Sequence, residues 1–380
     1  MEASAAHVLE IGAVLLLATV AGWLARRLGL PAILGYLAVG LVVSPFTPGY
    51  VVDREQLHTL ADVGVVLLLF EVGIEIDPRR LRREQGALLW AVPLQTLAGA
   101  TLVTGAGMLL GLGLRGAVLL GLAVALSSSV VVVNITQSRE RTTNGATDQA
   151  LLSWSVVQDV AGVAVAMALL ATLDTGRPLP LTAAGIVVFA GVAASAALVL
   201  PEALRRLRGE RDLFLMLSTG SGLVLAGVGA VVFGVPLALA AFVSGLAIAK
   251  GPDADEARRR LLPFRDLFAV MFFVAIGTLI DPTTVPQALG WIAAVLGLVV
   301  VAKVAVVYVL ARVMRLPEVR PWQLAVGVGQ VGEFSFVLGS IGLARGVIPA
   351  ELFTALLTAV VITIALSTLL VRLSPAMAET

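Results

Sequence analysis

The sequence contains no cysteine and only two histidines, His7 and His58, among its 380 residues. Disulfides, thiol catalysis and thiolate metal sites are therefore excluded, and a histidine-rich metal site cannot be built. Charged residues are scarce, at 13%, whereas hydrophobic residues reach 59% and the mean hydropathy is +1.00. The net charge of +1 argues against a nucleic-acid partner. This composition is typical of a chain whose main solvent is the lipid bilayer.

Apolar stretches of roughly 20 residues, enough to cross about 30 Å of hydrocarbon as a helix, recur along the chain. Helices are expected throughout, because lipid offers no partner to exposed backbone and the alternation of a barrel strand is missing. The N-terminus contains Glu2 and lacks a basic cluster, so we expect the first span to be retained rather than cleaved as a signal peptide. We predict an all-α polytopic membrane protein with about thirteen spans, near residues 6–25, 31–44, 57–74, 86–110, 115–136, 147–173, 180–203, 211–233, 236–250, 263–280, 287–314, 321–345 and 350–373.

Basic residues are divided unevenly between the alternating loops. One set of loops holds roughly 21 of the 26 lysines and arginines. Because cytoplasmic loops carry the excess of positive charge, the N-terminus is predicted outside and the C-terminus in the cytoplasm of a bacterial inner membrane. An odd number of spans agrees with that topology.

Two parts of the chain look alike at an offset of 204 to 205 residues. The offset spans seven helices, an odd number, so the two copies would lie upside down relative to each other. We expect a first inverted repeat of six helices over residues 1–173, a linker helix over 174–210 and a second six-helix repeat over 211–380. The matching segments are Leu28-Gly29-Leu30-Pro31 with Gly40 against Phe233-Gly234-Val235-Pro236 with Gly245, and Gly73 with Asp77-Pro78 against Gly277 with Asp281-Pro282.

Asp159 lies about 12 residues from either end of its span, roughly 18 Å along the helix and near mid-bilayer. An ionisable residue at that depth costs at least about 2.5 kcal/mol on insertion scales, so it indicates function. Burial disfavours the charged carboxylate, whereas a bound cation or nearby Lys303 favours it. Such a group can hold a proton or a monovalent cation in competition, which is the chemistry of an antiporter. A carboxylate locked in a permanent ion pair is the alternative.

Polar side chains accompany Asp159 as candidate site residues. Ser155 shares its helical face and Gln158 precedes it directly. In the preceding span a run of three serines interrupts an apolar helix, and Asn134 follows about two turns later. Hydroxyls and loosened carbonyls suit a dehydrated alkali cation, although serines also pack between close helices in membranes. The serines are Ser127, Ser128 and Ser129.

Three further ionisable residues lie in spans. Glu333 is centred in a glycine-rich segment that corresponds to the serine run, so broken helices are predicted in both copies. Glu333 would neutralise half-helix ends or carry a structural hydrogen bond. Lys303 would pair with Asp159 or lock two helices together. Glu71 lies nearer the end of its span and is predicted to be a partly hydrated interfacial charge. Outside the spans, a predicted loop with Asp253, Asp255 and Glu256 is solvated or binds a regulator.

Nearly the whole chain resembles the cation:proton antiporters of the Kef glutathione-gated potassium-efflux type, in the monovalent cation:proton antiporter-2 family. The resemblance rests on Pro31-Ala-Ile33-Leu-Gly35-Tyr36, Gly73-Ile-Glu75-Ile-Asp77-Pro78, the serine run, Gln158-Asp159, Pro263-Phe264 with Phe272-Phe273 and Gly277, and Gly332-Glu333-Phe334. It implies a sodium/proton antiporter-like fold, a homodimer, and a mobile core from residues 86–173 and 287–373 that moves like an elevator. A Gln-Asp pair is similar to the potassium-efflux group, whereas two aspartates resemble sodium exchangers that move net charge.

Kef proteins also carry a cytosolic nucleotide-binding regulatory domain, whereas this sequence ends at Thr380. The resemblance therefore implies such a domain on a longer chain or on a separate subunit, and the 251–264 segment resembles the inhibitory loop of the family. Potassium:proton exchange is the first hypothesis, with potassium or sodium and protons as the transported ions and no other cofactor. Sodium:proton exchange, a ligand-gated cation channel and a transport-dead receptor remain as alternatives. No enzymatic constellation is present in the sequence.

Overall fold

The computed structural model describes residues 2–47, 54–75, 86–137, 142–158, 179–235, 237–249, 251–332 and 334–373, and these residues form helices joined by short turns. Seven of the described helices are long and apolar enough to cross a membrane, and shorter apolar helices lie between them. The helices are α1 Glu2–Arg27, α2 Ala32–Val42, α3 Arg54–Glu75, α4 Gly86–Leu109, α5 Leu114–Ala125, α6 Ser129–Gln137, α7 over residues 145–158, α8 Leu179–Arg206, α9 Arg211–Val231, α10 Leu237–Ala249, α11 Ala254–Thr278, α12 Val285–Val299, α13 Val306–Met314, α14 Pro321–Val328, α15 Phe334–Ala344 and α16 Ala350–Leu373. The predicted all-α polytopic fold is confirmed.

Equivalent glycines end α1 and α9. Gly29 and Gly234, which are 205 residues apart, adopt positive φ angles of 74° and 66°. At each position the chain turns back to bond the preceding helix, with Leu30 N donating to Ala25 O and Val235 N donating to Gly229 O, both at 2.9 Å. A glycine in the left-handed region is the usual way to end a helix. The matched sequence segments therefore form matched turns.

The predicted repeat segments also meet each other in the structure. A Cβ built on Gly40 of α2 would lie 2.6 Å from Gly277 Cα of α11, and one on Gly73 of α3 would lie 2.9 Å from Gly245 Cα of α10. Small residues allow helix backbones to approach this closely. Because Gly40 matches Gly245 and Gly73 matches Gly277, the contact of Gly40 with Gly277 is equivalent to the contact of Gly73 with Gly245. This equivalence is what a pseudo-twofold relation produces, and it supports the predicted inverted repeat.

The charged residue near the end of α3 is more buried than expected. Glu71 is only 2% exposed and is paired with Arg258 and, at 3.2 Å, with Arg265. The expectation of a partly hydrated interfacial charge was therefore wrong. A carboxylate at this depth is tolerated because two guanidinium groups of α11 supply the missing solvation.

Helix α11 begins earlier than the predicted span near 263. The acidic residues of the predicted loop lie at its start, with Asp253 as the N-cap residue and Asp255 and Glu256 in the first turn. Carboxylates are favoured at a helix N-terminus, where the macrodipole is positive. The loop prediction was wrong because charge was taken as a sign of a loop, whereas here it stabilises a helix end.

The span that contains Lys303 is continuous but not a regular α-helix. Between α12 and α13 the residues Val300–Ala305 form a π-helical segment. Helix α4 approaches this segment closely, since a Cβ on Gly99 would lie 2.9 Å from Ala302 O. Short π segments inside α-helices are frequent at functional sites. The extra residue in the turn sets the direction in which Lys303 points.

Candidate functional site

Both predicted helix interruptions are present, and they cross each other. The chain leaves helical geometry between α5 and α6 and again between α14 and α15. At the crossing Gly332 N donates to Leu126 O at 2.9 Å. A Cβ on Gly332 would lie 2.6 Å from the backbone of Ser127, so only glycine permits this approach. The crossing therefore joins the serine run of one half of the chain to the glycine-rich segment of the other.

Side chains of the two breaks replace the helical hydrogen bonds that the breaks remove. Ser127 Oγ donates to Val328 O at 2.7 Å, across the crossing. The buried amide of Gln330 is bound twice to Ser128, accepting from its N–H and donating to its carbonyl, both at 3.0 Å. Buried backbone groups without partners are costly, so these bonds make the interruptions stable.

The ammonium of Lys303 lies at the crossing and is 1% exposed. It donates to three backbone carbonyls, at 3.1 Å to Val124 O, 2.8 Å to Leu126 O and 2.6 Å to Gln330 O. The first two belong to the C-terminal end of α5, where the helix macrodipole is negative. Three oxygens use all three donors of the ammonium group. Among the described residues, the partners of Lys303 are thus backbone carbonyls rather than a carboxylate.

Gln158 ties α7 to the same crossing. Its Oε1 accepts from Ser127 N at 3.0 Å, and its Nε2 donates to Ala125 O at 3.0 Å and to Gln95 Oε1 at 3.1 Å. The side chain is 1% exposed, so its amide is fixed by protein partners. One glutamine therefore satisfies both a carbonyl and an N–H at the first break.

The structure brings part of the predicted site together. Ser127, Ser128, Gln158 and Lys303 meet at the crossing, as described above. Ser129 begins α6, and Ser155 is buried on α7 one turn before the end of its described part. Two central residues, Asp159 and Glu333, lie outside the described residues, and so does the side chain of Asn134. Asp253, Asp255 and Glu256 lie at the start of α11, in a different part of the chain from the crossing.

Three residues at the crossing were not predicted from the sequence to be site residues. Gln330 and Gln95 are buried amides in apolar segments. Burying a polar group costs free energy, as burying a charge does, so both amides could have been identified as candidates on that ground. The third is Thr363 of α16, whose Oγ1 accepts from Val331 N at 3.1 Å. That bond corresponds to the one between Gln158 and Ser127 at an offset of 204 to 205 residues. A fourth buried group, Thr96 Oγ1, lies 3.4 Å from Gln158 Nε2.

The arrangement concentrates backbone dipoles in a small volume inside the bilayer. The C-terminal end of α5 is held by an ammonium, while the N-terminal ends of α6 and α15 begin within a few residues of the crossing. Half-helix ends and unwound carbonyls are the groups with which transporters bind ions at the bilayer midplane. The crossing can therefore offer oxygen ligands to a dehydrated cation. It can also offer the positive N-terminal ends of α6 and α15 to a carboxylate.

The chain was compared with known proteins. Residues 15–373 match the family model described as sodium/hydrogen exchanger, transmembrane. The glutathione-regulated potassium-efflux system protein KefC of Enterobacter sp. (strain 638) is 31% identical over 362 residues, covering 92% of this chain and 57% of that protein. KefC of Klebsiella pneumoniae (strain 342) is 32% identical over 371 residues, with coverages of 92% and 57%. The chain thus spans little more than half the length of these two relatives.

The fold also resembles solved structures. The sodium proton antiporter MjNhaP1 from Methanocaldococcus jannaschii at pH 8 superimposes with a TM-score of 0.73 at 17% identity, over 98% of this chain and 99% of that one. An electron-microscopy structure of the same antiporter gives a TM-score of 0.67. At this identity the likeness shows the fold alone, whereas the family model covers most of the sequence. The chain belongs to the transmembrane sodium/hydrogen exchanger family, a family of membrane-embedded cation/proton antiporters rather than of enzymes.

Proposed function

We propose that the chain exchanges potassium for protons, with the carboxylate of Asp159 as the site for which the two ions compete. The observation that carries this proposal is the binding of Gln158 to the first helix break. Since Asp159 follows Gln158 directly, the one acid in the core of this predicted span stands next in the chain to a residue that is fixed at the crossing. Protonation neutralises the carboxylate in a medium of low dielectric constant, and a dehydrated cation does the same, so each ion displaces the other.

The neighbouring polar groups have distinct roles in this proposal. The hydroxyls of Ser127, Ser128, Ser129 and Ser155, the amide of Asn134 and free carbonyls of the break replace part of the hydration shell of the cation. Lys303 keeps the crossing closed by donating to carbonyls of both breaks, and its three described contacts support that role. Glu333 precedes α15 and would balance the positive end of that helix.

Selectivity for potassium rests on the relatives named KefC and on the Gln158-Asp159 pair. Sodium is the second candidate, because the structural neighbours are titled sodium proton antiporters and the family model is named for sodium. A ligand-gated cation channel is the alternative of another class. The two exchangers differ in which cation drives proton movement, whereas a channel passes ions far faster than a carrier.

Alternating access would proceed by movement of one part of the chain against another. The reciprocal glycine contacts join α2, α3, α10 and α11 into one tightly packed group, whereas the crossing joins α5, α7, α14 and the Lys303 segment into another. This division supports the mobile core proposed for residues 86–173 and 287–373 and an elevator movement against the remainder. We further propose a homodimer in a bacterial inner membrane, an external N-terminus, a cytoplasmic C-terminus and regulation by a nucleotide-binding domain or subunit.

Reconstitution into proteoliposomes tests the function. Added potassium should drive proton movement in wild type, and Asp159→Asn should abolish it while Asp266→Asn leaves it intact. Asp266 is a suitable control because its side chain is 67% exposed on α11, away from the crossing. A series of lithium, sodium, potassium and rubidium decides between the two exchangers. Unchanged exchange in Asp159→Asn would reject the assignment, and ion currents far above carrier turnover would favour a channel.

A further inference from the structure

Gln95 is a buried glutamine in the middle of the apolar helix α4. It lies on the buried stripe of that helix, between Val92 and Gly99, and none of its surface is exposed. Its Oε1 accepts from Gln158 Nε2 at 3.1 Å, whereas its own Nε2 has no partner among the described residues. An unsatisfied buried donor costs about 1–3 kcal/mol. Among the described residues, the oxygen is therefore the atom through which the Gln95 amide acts.

The contacts of Gln158 show what the Gln95 oxygen does. The amide group of Gln158 has a donor end and an acceptor end, and only one orientation places the acceptor against Ser127 N. Gln95 Oε1 and Ala125 O together occupy the donor end. If the Gln95 amide were reversed, its NH₂ would face the NH₂ of Gln158 and the contact would become repulsive. The Gln95 oxygen therefore adds to Ser127 N and Ala125 O in favouring one of the two amide orientations of Gln158.

Gln95 lies close to the π-helical segment. A Cβ on Gly99, one turn further along α4, would lie 3.3 Å from Gln95 Nε2 and 2.9 Å from Ala302 O. Gly99 therefore lies between Gln95 and the segment that contains Lys303, whose ammonium binds the same break. The first break is fixed by Lys303 through Val124 and by Gln95 through Gln158.

We propose that Gln95 is a positioning residue for the ion site, which orients the amide of Gln158 and thereby sets the affinity of the site for its cation. This inference rests on the proposed function, because it takes Gln158-Asp159 as the site. When Gln95 cannot accept a hydrogen bond, Gln158 loses one of the contacts that favour this orientation, and the orientation that withdraws its oxygen from the break becomes more populated. The cation then binds a less organised site, while the proton, which needs only the carboxylate, is less affected.

The test replaces the oxygen without changing the volume. Gln95→Met should raise the potassium concentration for half-maximal exchange about five- to tenfold, the effect of one lost buried hydrogen bond. The maximal rate should stay within about twofold. The matched control is Gln323→Met, since Gln323 is also a buried glutamine with one unpartnered amide atom, in α14 and away from the crossing. A half-saturating concentration in Gln95→Met that equals the control overturns the proposal.

A double-mutant cycle separates positioning from a general structural role. If Gln95 acts through Gln158, the double variant Gln95→Met with Gln158→Met should match Gln158→Met alone. Multiplied effects of the two substitutions would mean that Gln95 acts independently, and would overturn the proposal. If Gln95→Met does not yield folded protein, Gln95→Asn decides, because it withdraws the same oxygen by one methylene. Wild-type half-saturation in that variant is then the contrary result.

A binding measurement keeps this inference distinct from the proposed function. Thermal stabilisation by potassium reports occupancy without transport. Loss of the Asp159 assignment would appear as exchange that survives Asp159→Asn. Failure of the Gln95 inference would appear as an unchanged potassium titration in Gln95→Met beside a titration that Asp159→Asn abolishes.

Discussion

Substitution of Gly332 by alanine is the sharpest test of the crossing. The added methyl would lie 2.6 Å from the carbonyl carbon and oxygen of Ser127 and 2.9 Å from Ser128 N. Ordinary contacts of a Cβ begin near 3.4 Å, so the overlap is about 0.8 Å with Ser127. All of these atoms belong to backbone, which cannot rotate away as a side chain would. The two breaks must therefore separate, and the bond from Gly332 N to Leu126 O must lengthen.

The cost follows from two terms. Overpacking a tight contact costs about 1–3 kcal/mol, and weakening a buried hydrogen bond adds about 1 kcal/mol. We therefore expect Gly332→Ala to lose about 2–4 kcal/mol and to lower the midpoint of thermal unfolding by several degrees. Exchange in proteoliposomes should be lost, because carbonyls displaced by almost an ångström no longer form the site.

The control for this prediction is Gly290→Ala in α12. A Cβ there meets nothing within 4 Å, and alanine is favoured over glycine in a helix by up to about 1 kcal/mol. Purified wild type and both variants would be compared by thermal unfolding in one detergent and by proton flux in liposomes. Full transport in Gly332→Ala, with a midpoint no lower than that of Gly290→Ala, would refute the close crossing.

Two further substitutions probe other contacts. Lys303→Met leaves three carbonyls without the ammonium that they share, so we expect a loss of stability of about 2–5 kcal/mol and no exchange; thermal unfolding and proton flux check this, and wild-type behaviour contradicts it. Glu71→Gln removes the buried carboxylate that pairs with Arg258 and Arg265, so the unfolding midpoint should fall while the half-saturating potassium concentration of the remaining folded protein stays unchanged. A changed potassium response in Glu71→Gln would mean that the pair is coupled to the site.

Much of the architecture could be predicted because lipid restricts what a sequence can do. Span length, the helical fold and the matched turns at Gly29 and Gly234 follow from hydropathy and from glycine geometry. Both helix interruptions were also predictable, because Ser127 and its neighbours and the glycines around Gly332 weaken helices at corresponding positions. Gln158 was placed in the site for its position beside Asp159, and the structure fixes its side chain at the first break.

The features that could not be predicted are contacts between residues that lie far apart in the sequence. Lys303 was expected to pair with Asp159 or to lock two helices together, and the acceptors that the structure describes are backbone carbonyls at the end of α5 and at Gln330. A helix break creates such acceptors only after folding, so no pattern in the sequence displays them. Gln95 carries no charge, so the criterion of a buried charge does not identify it, although burying an amide also costs free energy. Asp253 and Glu256 were predicted in a loop because they are charged, whereas both lie at the positive N-terminal end of α11, which favours carboxylates.

The corresponding residues of the two breaks differ in charge. Thr363 corresponds to Gln158 at an offset of 205 residues, and each accepts a hydrogen bond from the N–H of its own break. The residue that follows is Asp159 in one half and Ile364 in the other. On the neighbouring helices Lys303 has no basic counterpart, because the matching positions of α4 hold Ala98 and Gly99. The backbone scaffold is thus duplicated whereas the charges are not. Under the proposed function, the acid of the first half, Asp159, and the base of the second half, Lys303, therefore have no charged counterpart at the matching positions, so a proton or a cation that binds Asp159 changes the charge of that carboxylate by one unit.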